Sequence, residues 1–186
     1  MTILCNVLDS PKPAAHRALG VSELVSPEPP RAGQQDMTKP RILLADDHPE
    51  VLDALRPFLD ELGEVVGMVT DGQALVEAAR RLEPDLIFSD ISMPGLNGLD
   101  ATRALQACLP QSKVIILTVH REAVYVSLAF NAVARGYLLK RSAVAELPQA
   151  VRHVLAGDRY IGQGVGLREE WSSADGGEAP TWRSEL

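Results

Sequence analysis

A doubly wound α/β fold with a five-stranded parallel sheet is predicted by three observations. From residue 41 onward, short apolar runs alternate five times with stretches of helical period. Repeating βα units build parallel sheets, because each right-handed crossover returns the chain beside the strand it left. The third, fourth and fifth runs (Leu86 to Ser89, Lys113 to Thr118, Gly136 to Lys140) are almost continuously apolar rather than alternating, as strands covered by helices on both faces are. Finally, the first, third, fourth and fifth runs end in polar residues, which a parallel sheet gathers on one edge, where such sheets bind ligands.

Taken in order, Arg41 to Ala45 is the first strand, running into Asp46, Asp47 and His48. Pro49 suits the first turn of the helix that follows, where its missing N–H is not needed. Val51, Leu52, Leu55, Phe58, Leu59 and Leu62 recur at helical spacing as that helix's apolar face. Glu64 to Val69 is the second strand, and Asp71-Gly72 turns into a helix with Leu75, Ala79 and Leu82 on one face. The third strand ends at Asp90. Pro94, Gly95 and Asn97-Gly98 then turn the chain before a third helix marked by Leu99, Thr102, Leu105 and Leu109. Lys113 to Thr118 is the fourth strand, with a helix over about 121–132 after it. Gly136 to Lys140 is the fifth strand, and Val144, Leu147, Val151 and Leu155 mark a last helix that stops near Gly157. The expected strand order is 2-1-3-4-5, the flavodoxin-like arrangement, which sets the first strand beside the third at the topological switch point.

The flanks read differently. Residues 1–39 are rich in Pro, Ser and Ala without a sustained period, and are expected to form a disordered N-terminal extension. Met37 offers a start of translation, with residues 1–36 an extension; a native leader is the other reading. Residues 162–186 set Arg168 and Arg183 against Glu169, Glu170, Asp175, Glu178 and Glu185, and are expected to be a flexible acidic tail without an output domain. The glycines at 162, 164 and 166 do not match GxGxxG and read as linker. A domain over 40–161 remains.

Composition excludes several classes. The net charge of −7 lacks the basic footprint of a general nucleic-acid or membrane-surface binder. Cys5 and Cys108 form no CxxC pair, so neither a disulfide framework nor a zinc site is expected. The N-terminus lacks a basic region followed by an apolar core, and no stretch approaches the roughly 20 apolar residues that span a bilayer. A cytoplasmic protein without a membrane partner is the expectation.

Asp46 and Asp47, Asp90, Thr118 and Lys140 follow the first, third, fourth and fifth strands. Singly, Asp47 reads as a helix N-cap, Thr118 as a turn former and Lys140 as a snorkelling surface lysine. On one sheet edge they carry joint chemistry. Three carboxylates pressed together repel one another unless a cation intervenes, and carboxylate oxygens with room for water suit Mg²⁺. Such a metal clamps an incoming phosphoryl group, a carboxylate can attack phosphorus, and the rest is positioning and charge neutralisation. Lys140 supplies a compact positive charge and Thr118 a hydroxyl donor.

These residues, with Met93-Pro94 and Gly98 after Asp90 and Gly136-Tyr137-Leu-Leu-Lys140 at the fifth strand, resemble a response-regulator receiver domain of two-component phosphorelays. Asp47-His48 and the Gly136 to Lys140 run are most similar to receivers of LuxR-type helix-turn-helix regulators. The resemblance implies that Asp90 is the phosphoacceptor. It implies that Asp47, Asp90 and the Ser92 carbonyl bind Mg²⁺ directly, with Asp46 acting through water, and that Thr118 and Tyr137 form a switch pair beside Lys140. It implies a histidine kinase or phosphotransfer protein as donor, an output protein of unknown kind, and a possible homodimer. The domain would be a regulatory phosphoacceptor rather than an enzyme, assisting its own phosphorylation and dephosphorylation. Some positions depart from the family pattern. Arg141 replaces a frequent proline, Val119 a frequent small residue, which would slow access of phospho-donors, and Val133 a common glycine. Pro57 and Pro148 fall inside helices that often form partner surfaces, and each would kink or shorten its helix.

Three functions compete: a phosphorylation-dependent switch that binds another protein, the receiver part of a LuxR-type DNA-binding regulator whose helix-turn-helix is truncated or missing, and a flavin binder on the same fold. No hydroxyl-rich phosphate cradle follows the first strand, which argues against the third. Thr181 to Leu186 faintly resembles the opening of a helix-turn-helix. Phosphate contacts need Lys or Arg gathered on one face, and the tail holds five carboxylate residues against two arginines. The 186-residue chain is therefore expected to give no mobility shift or anisotropy change with duplex DNA at about 150 mM salt, where specific binders stay bound; binding by micromolar protein would overturn this.

Overall fold

The computed structural model describes residues 39–166. The expectations for the leader up to residue 38 and for the tail from residue 167 fall outside the described residues. The elements in order are β1 (Arg41–Ala45), α1 (Pro49–Leu62), β2 (Glu64–Val69), α2 (Gly72–Leu82), β3 (Leu86–Ser89), α3 (Gly98–Cys108), β4 (Lys113–Thr118), α4 (Ala123–Asn131), β5 (Gly136–Leu139), α5 (Ala143–Ala156) and β6 (Tyr160–Ile161). They form one sheet in the order β2-β1-β3-β4-β5-β6, with every pairing parallel.

The first five strands take the expected order. The sheet has six strands rather than five, because Tyr160 and Ile161 pair outside β5 opposite Gly136 and Tyr137. A two-residue strand has no period to read, so this addition left no pattern in the sequence. Fold position follows from strand alternation. Leu43, Ile87, Ile116, Tyr137 and Leu139 pack on one face with α2, α3 and α4. Ile42, Leu44, Phe88, Ile115, Leu117 and Leu138 pack on the other with α1 and α5.

Helix phases differ from expectation at three residues. α1 buries Leu52, Leu55 and Leu59, whereas Phe58 stands 41% exposed. α5 buries Ala143, Leu147, Ala150, Val151 and Val154 and leaves Val144 and Leu155 outside. In α5 the small residues Ala143 and Ala150 share the buried stripe, which shifts its edge away from the large apolar residues; in α1 the stripe is narrower than the apolar spacing suggests. Pro57 and Pro148 also do not shorten their helices, each of which runs 14 residues. Each proline removes one backbone donor, and the buried stripe beside it holds the helix together.

Val133 carries the clearest backbone strain. α4 ends at the cap residue Ala132; the N–H of Val133 then bonds the Phe130 carbonyl, and that of Ala134 the Ala129 carbonyl, both at 3.0 Å. This double return is the Schellman motif, which needs a left-handed residue and favours glycine. Val133 occupies it with φ 67°, a conformation that its branched Cβ resists. Val133→Gly should raise the unfolding free energy by about 1 kcal/mol, after allowing for the greater freedom glycine gives the unfolded chain. Equal or lower stability of the variant in denaturant titrations would count against the strain.

Candidate functional site

The carboxyl ends of the strands bring the predicted side chains together. The Asp46 N–H bonds the Val69 carbonyl at 3.1 Å, and the Asp90 N–H bonds the Ala45 carbonyl at 2.9 Å. These bonds continue the ladder one residue past each strand, so both aspartates leave the sheet from fixed backbone. Beyond Asp90 the loop folds back until the Gly98 N–H reaches the Ile91 carbonyl at 3.0 Å. A Cβ at residue 98 would lie 1.8 Å from the Asp90 carbonyl oxygen, so only glycine allows α3 to start this close. Asn97 caps α3 by accepting the Asp100 N–H.

Asp46 is 1% exposed and Asp90 3%. The Asp90 Oδ1 accepts the Ile91 N–H at 2.7 Å, and its Oδ2 accepts from Lys140 Nζ at 2.9 Å. The same Nζ lies 2.6 Å from Asp46 Oδ2. That ion pair is the contact Asp46 Oδ2 makes, and the oxygen is buried with no other partner among the described residues. Lys140 thus stands between two buried carboxylates. Burial by itself would lower its pKa; the Asp46 and Asp90 carboxylates outweigh burial and raise it overall.

Asp47 is half-buried and does not cap α1. The cap residue is His48, whose side chain makes no capping bond. Instead His48 Nδ1 lies 2.7 Å from Asp47 Oδ1 and 3.4 Å from Asp46 Oδ1. The hydrogen bond to Asp47, followed by that carboxylate's charge, raises the His48 pKa. One ligand atom from each of Asp46, Asp47 and His48 lies within 4.8 Å of the others. Asp90 is tied to this group through Lys140. The Asp46 and Asp47 carboxylates side by side supply hard oxygen donors and more negative charge than Lys140 offsets, and these residues fit Mg²⁺.

Thr118 is fully buried at the end of β4, and its Oγ1 accepts the His120 N–H at 3.4 Å. Tyr137 is fully buried at the centre of β5, and its hydroxyl donates to the His120 carbonyl at 2.8 Å. Burial, then the nearby Glu122 charge, raises the Tyr137 pKa. Sequence reading did not single out His120. Its ring stacks on Tyr125 at 4.1 Å between centroids and lies 3.3 Å from the Ser92 hydroxyl. It therefore links the loop after β3 to the loop after β4. Its place two residues beyond Thr118 was the available signal. Val119, between them, is 70% exposed.

A five-strand parallel core with an acidic pair after β1, a buried aspartate after β3, a threonine after β4 and a lysine after β5 defines the receiver class of regulatory domains. The response regulator receiver domain model matches residues 42–152, and the chain belongs to that family. Response regulator GacA of Pseudomonas viridiflava is 39% identical over 123 residues, covering 65% of this chain and 58% of its own length. Response regulator UvrY of Escherichia coli (strain K12) is 37% identical over 126 residues, covering 67% of this chain and 58% of its own length. The chain thus spans 58% of the length of each of these curated relatives. The crystal structure of a two-component response regulator, LuxR family, from Aurantimonas sp. SI85-9A1 superposes with a TM-score of 0.66 at 32% identity, over 69% of this chain and 93% of that one.

Removing one partner of a buried ion pair costs more than the pair contributes, because the remaining charge is left uncompensated. Lys140→Met should lower stability by roughly 2–3 kcal/mol, less than in a closed interior because the pocket opens to water. Millimolar Mg²⁺ should recover part of that loss by neutralising the two carboxylates. A variant as stable as the wild type in metal-free buffer would show that the lysine does not hold the pocket together.

Proposed function

We propose that this chain is a phosphorylation-dependent signalling switch of a two-component phosphorelay, accepting a phosphoryl group on Asp90 from a histidine kinase or phosphotransfer protein. The observation that carries the reading is Asp90 itself, a nearly buried carboxylate at the switch point of the sheet with Lys140 on Oδ2 and the Ile91 N–H on Oδ1. A carboxylate oxygen of Asp90 attacks phosphorus, the donor's bond to phosphorus breaks with its electron pair leaving on the donor, and an acyl phosphate forms. Lys140 remains cationic and holds a phosphoryl oxygen. The Thr118 hydroxyl, tied only weakly to the His120 N–H, donates to another. Asp46, Asp47, Asp90 and the Ser92 carbonyl would hold Mg²⁺, which when bound supplies positive charge to the phosphoryl oxygens.

Recruitment of Thr118 shifts the population of the β4–α4 loop, and Tyr137 moves with it as the second half of the switch. The unit that does this is residues 40–161, acting as a regulatory phosphoacceptor in the cytoplasm, with an output protein and a second copy of the chain as partners. Among the described residues no helix is long and apolar enough to cross a membrane.

A second reading is favoured by the likeness to a LuxR-family response regulator and by the share of each relative's length that the chain spans. In it this chain is the receiver part of a DNA-binding regulator. An in-frame continuation past Leu186 encoding a helix-turn-helix of roughly 50–60 residues, the compact size of such units, would establish it; its absence from the gene would remove it.

Incubation with acetyl phosphate and Mg²⁺ should add one phosphoryl group, seen by intact-mass spectrometry as an acid-stable, base-labile adduct. Asp90→Asn should abolish it. Stoichiometric modification of that variant would place the acceptor elsewhere.

A further inference from the structure

The glycines at 162, 164 and 166 read as linker in the sequence, yet residues 160–166 are bonded to β5, to α5 and to the loops after β4 and β5. Gly157 closes α5 in a left-handed conformation. The Tyr160 N–H then bonds the Arg135 carbonyl at 2.9 Å, and the Gly162 N–H bonds the carbonyl of Tyr137 at 2.8 Å. The Gln163 N–H donates to Glu146 Oε2 at 2.8 Å, and the Tyr160 hydroxyl donates to the same oxygen at 3.2 Å. Glu146 is 6% exposed although it lies on a surface helix, and a Cβ at Gly162 would come within 3.0 Å of its Oε2. Gly164 turns the chain with φ 75°, its carbonyl 3.4 Å from Arg141 Nη2. Finally the Gly166 N–H bonds the Arg121 carbonyl at 2.8 Å, and Gly166 bridges in parallel to Glu122. Ile161 and Val165 pack against the same core cluster as Tyr137 and Phe130, while Tyr160 packs against the opposite one.

Two features make this more than an edge strand. One end is fixed, on β5 and on the buried Glu146 carboxylate. The other meets the β4–α4 loop, through the Arg121 carbonyl and the parallel bridge to Glu122. In that loop the carbonyl of His120 holds the Tyr137 hydroxyl and the next one, of Arg121, holds Gly166. The two carbonyls belong to successive peptide units joined at the Arg121 Cα, so a displacement of the loop backbone that alters the first bond also moves the second acceptor, with only the Arg121 φ and ψ between them.

We infer that residues 160–166 form a strap whose far end, at Gly166, reports the state of the phosphorylation site. Tyr137 is the coupling residue, and the anchored end, at Gly162 and Gln163, does not respond. The regulated half of this rests on the reading of Asp90 as phosphoacceptor; the mechanical half does not. A change at Asp90 reaches Thr118, whose hydroxyl bonds the His120 N–H, then the His120 and Arg121 carbonyls, then the Gly166 amide. The chain beyond residue 166 thus leaves from the one point on the strap that moves with the site.

Amide hydrogen exchange of the full 186-residue chain, read residue by residue by NMR, separates the two halves. Without any phosphoryl donor, Tyr137→Phe removes one hydroxyl and keeps the ring. It should speed exchange at Gly166 roughly three- to tenfold, the worth of one net hydrogen bond, and leave Gly162 unchanged. Equal rates at Gly166 in the two proteins, or equal acceleration at Gly162, would overturn the strap. Beryllofluoride with Mg²⁺, a phosphoryl mimic, should then alter Gly166 exchange in the wild type and not in Tyr137→Phe. If the Asp90 and Thr118 amides shift and Gly166 does not, the coupling is refuted while the phosphoacceptor reading stands. If Asp90 and Thr118 are silent as well, the phosphoacceptor reading fails and the regulated half falls with it. Glu146→Gln, which keeps the side chain's shape and an acceptor oxygen, should leave all of these responses in place; their loss would locate the coupling in α5 instead.

Discussion

The Lys140 ammonium between the carboxylates of Asp46 and Asp90 is the interaction on which the rest of this fold depends. Two buried carboxylates at neighbouring strand ends repel one another, and each has lost most of its water. One cation from β5's end, 2.6 Å from the first and 2.9 Å from the second, compensates both. It can do so only if β1, β3 and β5 present their carboxyl ends to the same edge at the right height. Parallel order, register and the short connections after β1, β3 and β5 are therefore all required by one three-body contact. The contact is also incomplete, since three carboxylates of the pocket face one lysine and a histidine that is charged only when protonated. Surplus negative charge of this kind is what hard oxygen-ligand sites for divalent cations have in common.

The structure separates rigid from responsive parts by composition. The strands behind the pocket are buried but for Lys113 and mostly apolar, packed between two core clusters, and close-packed interiors deform little. Polar groups that could rearrange lie one to three residues past strand ends, in loops. Among these, the β4–α4 loop holds a long contact, 3.4 Å from the His120 N–H to Thr118 Oγ1. α4 follows it with an almost wholly apolar sequence, yet Val124 and Leu128 are exposed. Its closing turn is strained at Val133. A short helix with exposed apolar residues and a strained end is where local opening is expected to concentrate.

How much of this was legible in the sequence depended on whether a feature repeats. β1 to β4 were legible to the residue, because continuous apolar runs bounded by Pro, Gly and Asp leave little room for error; β5 proved one residue shorter, with Lys140 just beyond it. Asp46, Asp90, Thr118 and Lys140 were legible as a set because parallel topology converts four separate strand ends into one place. Helix faces were less so. α5 is buried through Ala143 and Ala150 as much as through Leu147 and Val151, and a search for large apolar residues picked Val144 and Leu155 in their stead. His48 and His120 were missed as partners because their roles come from contacts across loops: one with the carboxylates before it, the other with Ser92, Tyr125 and Tyr137. Loop geometry has no period.

Glu146 shows the same limit from the other side. At the start of α5 a glutamate reads as an ordinary first-turn acid, stabilised by the helix dipole and pointing to water. Here it is buried, one oxygen taking the Gln163 N–H and the Tyr160 hydroxyl while the other has no hydrogen-bond partner. Burying a carboxylate on a surface helix costs more than burying an apolar residue there, so its placement is explained only by what it binds, the backbone of the segment after α5. That segment is short: its two residues of strand carry one side chain to each face, Ile161 against one core cluster and Tyr160 against the other. Without the carboxylate, Gln163 would lose its acceptor and the strand pairing at Gly162 would be left to fray. An acid in α5 thus joins the backbone pairing with β5 in holding the sixth strand, a contact between residues 14 to 17 positions apart that no local pattern in the chain announces.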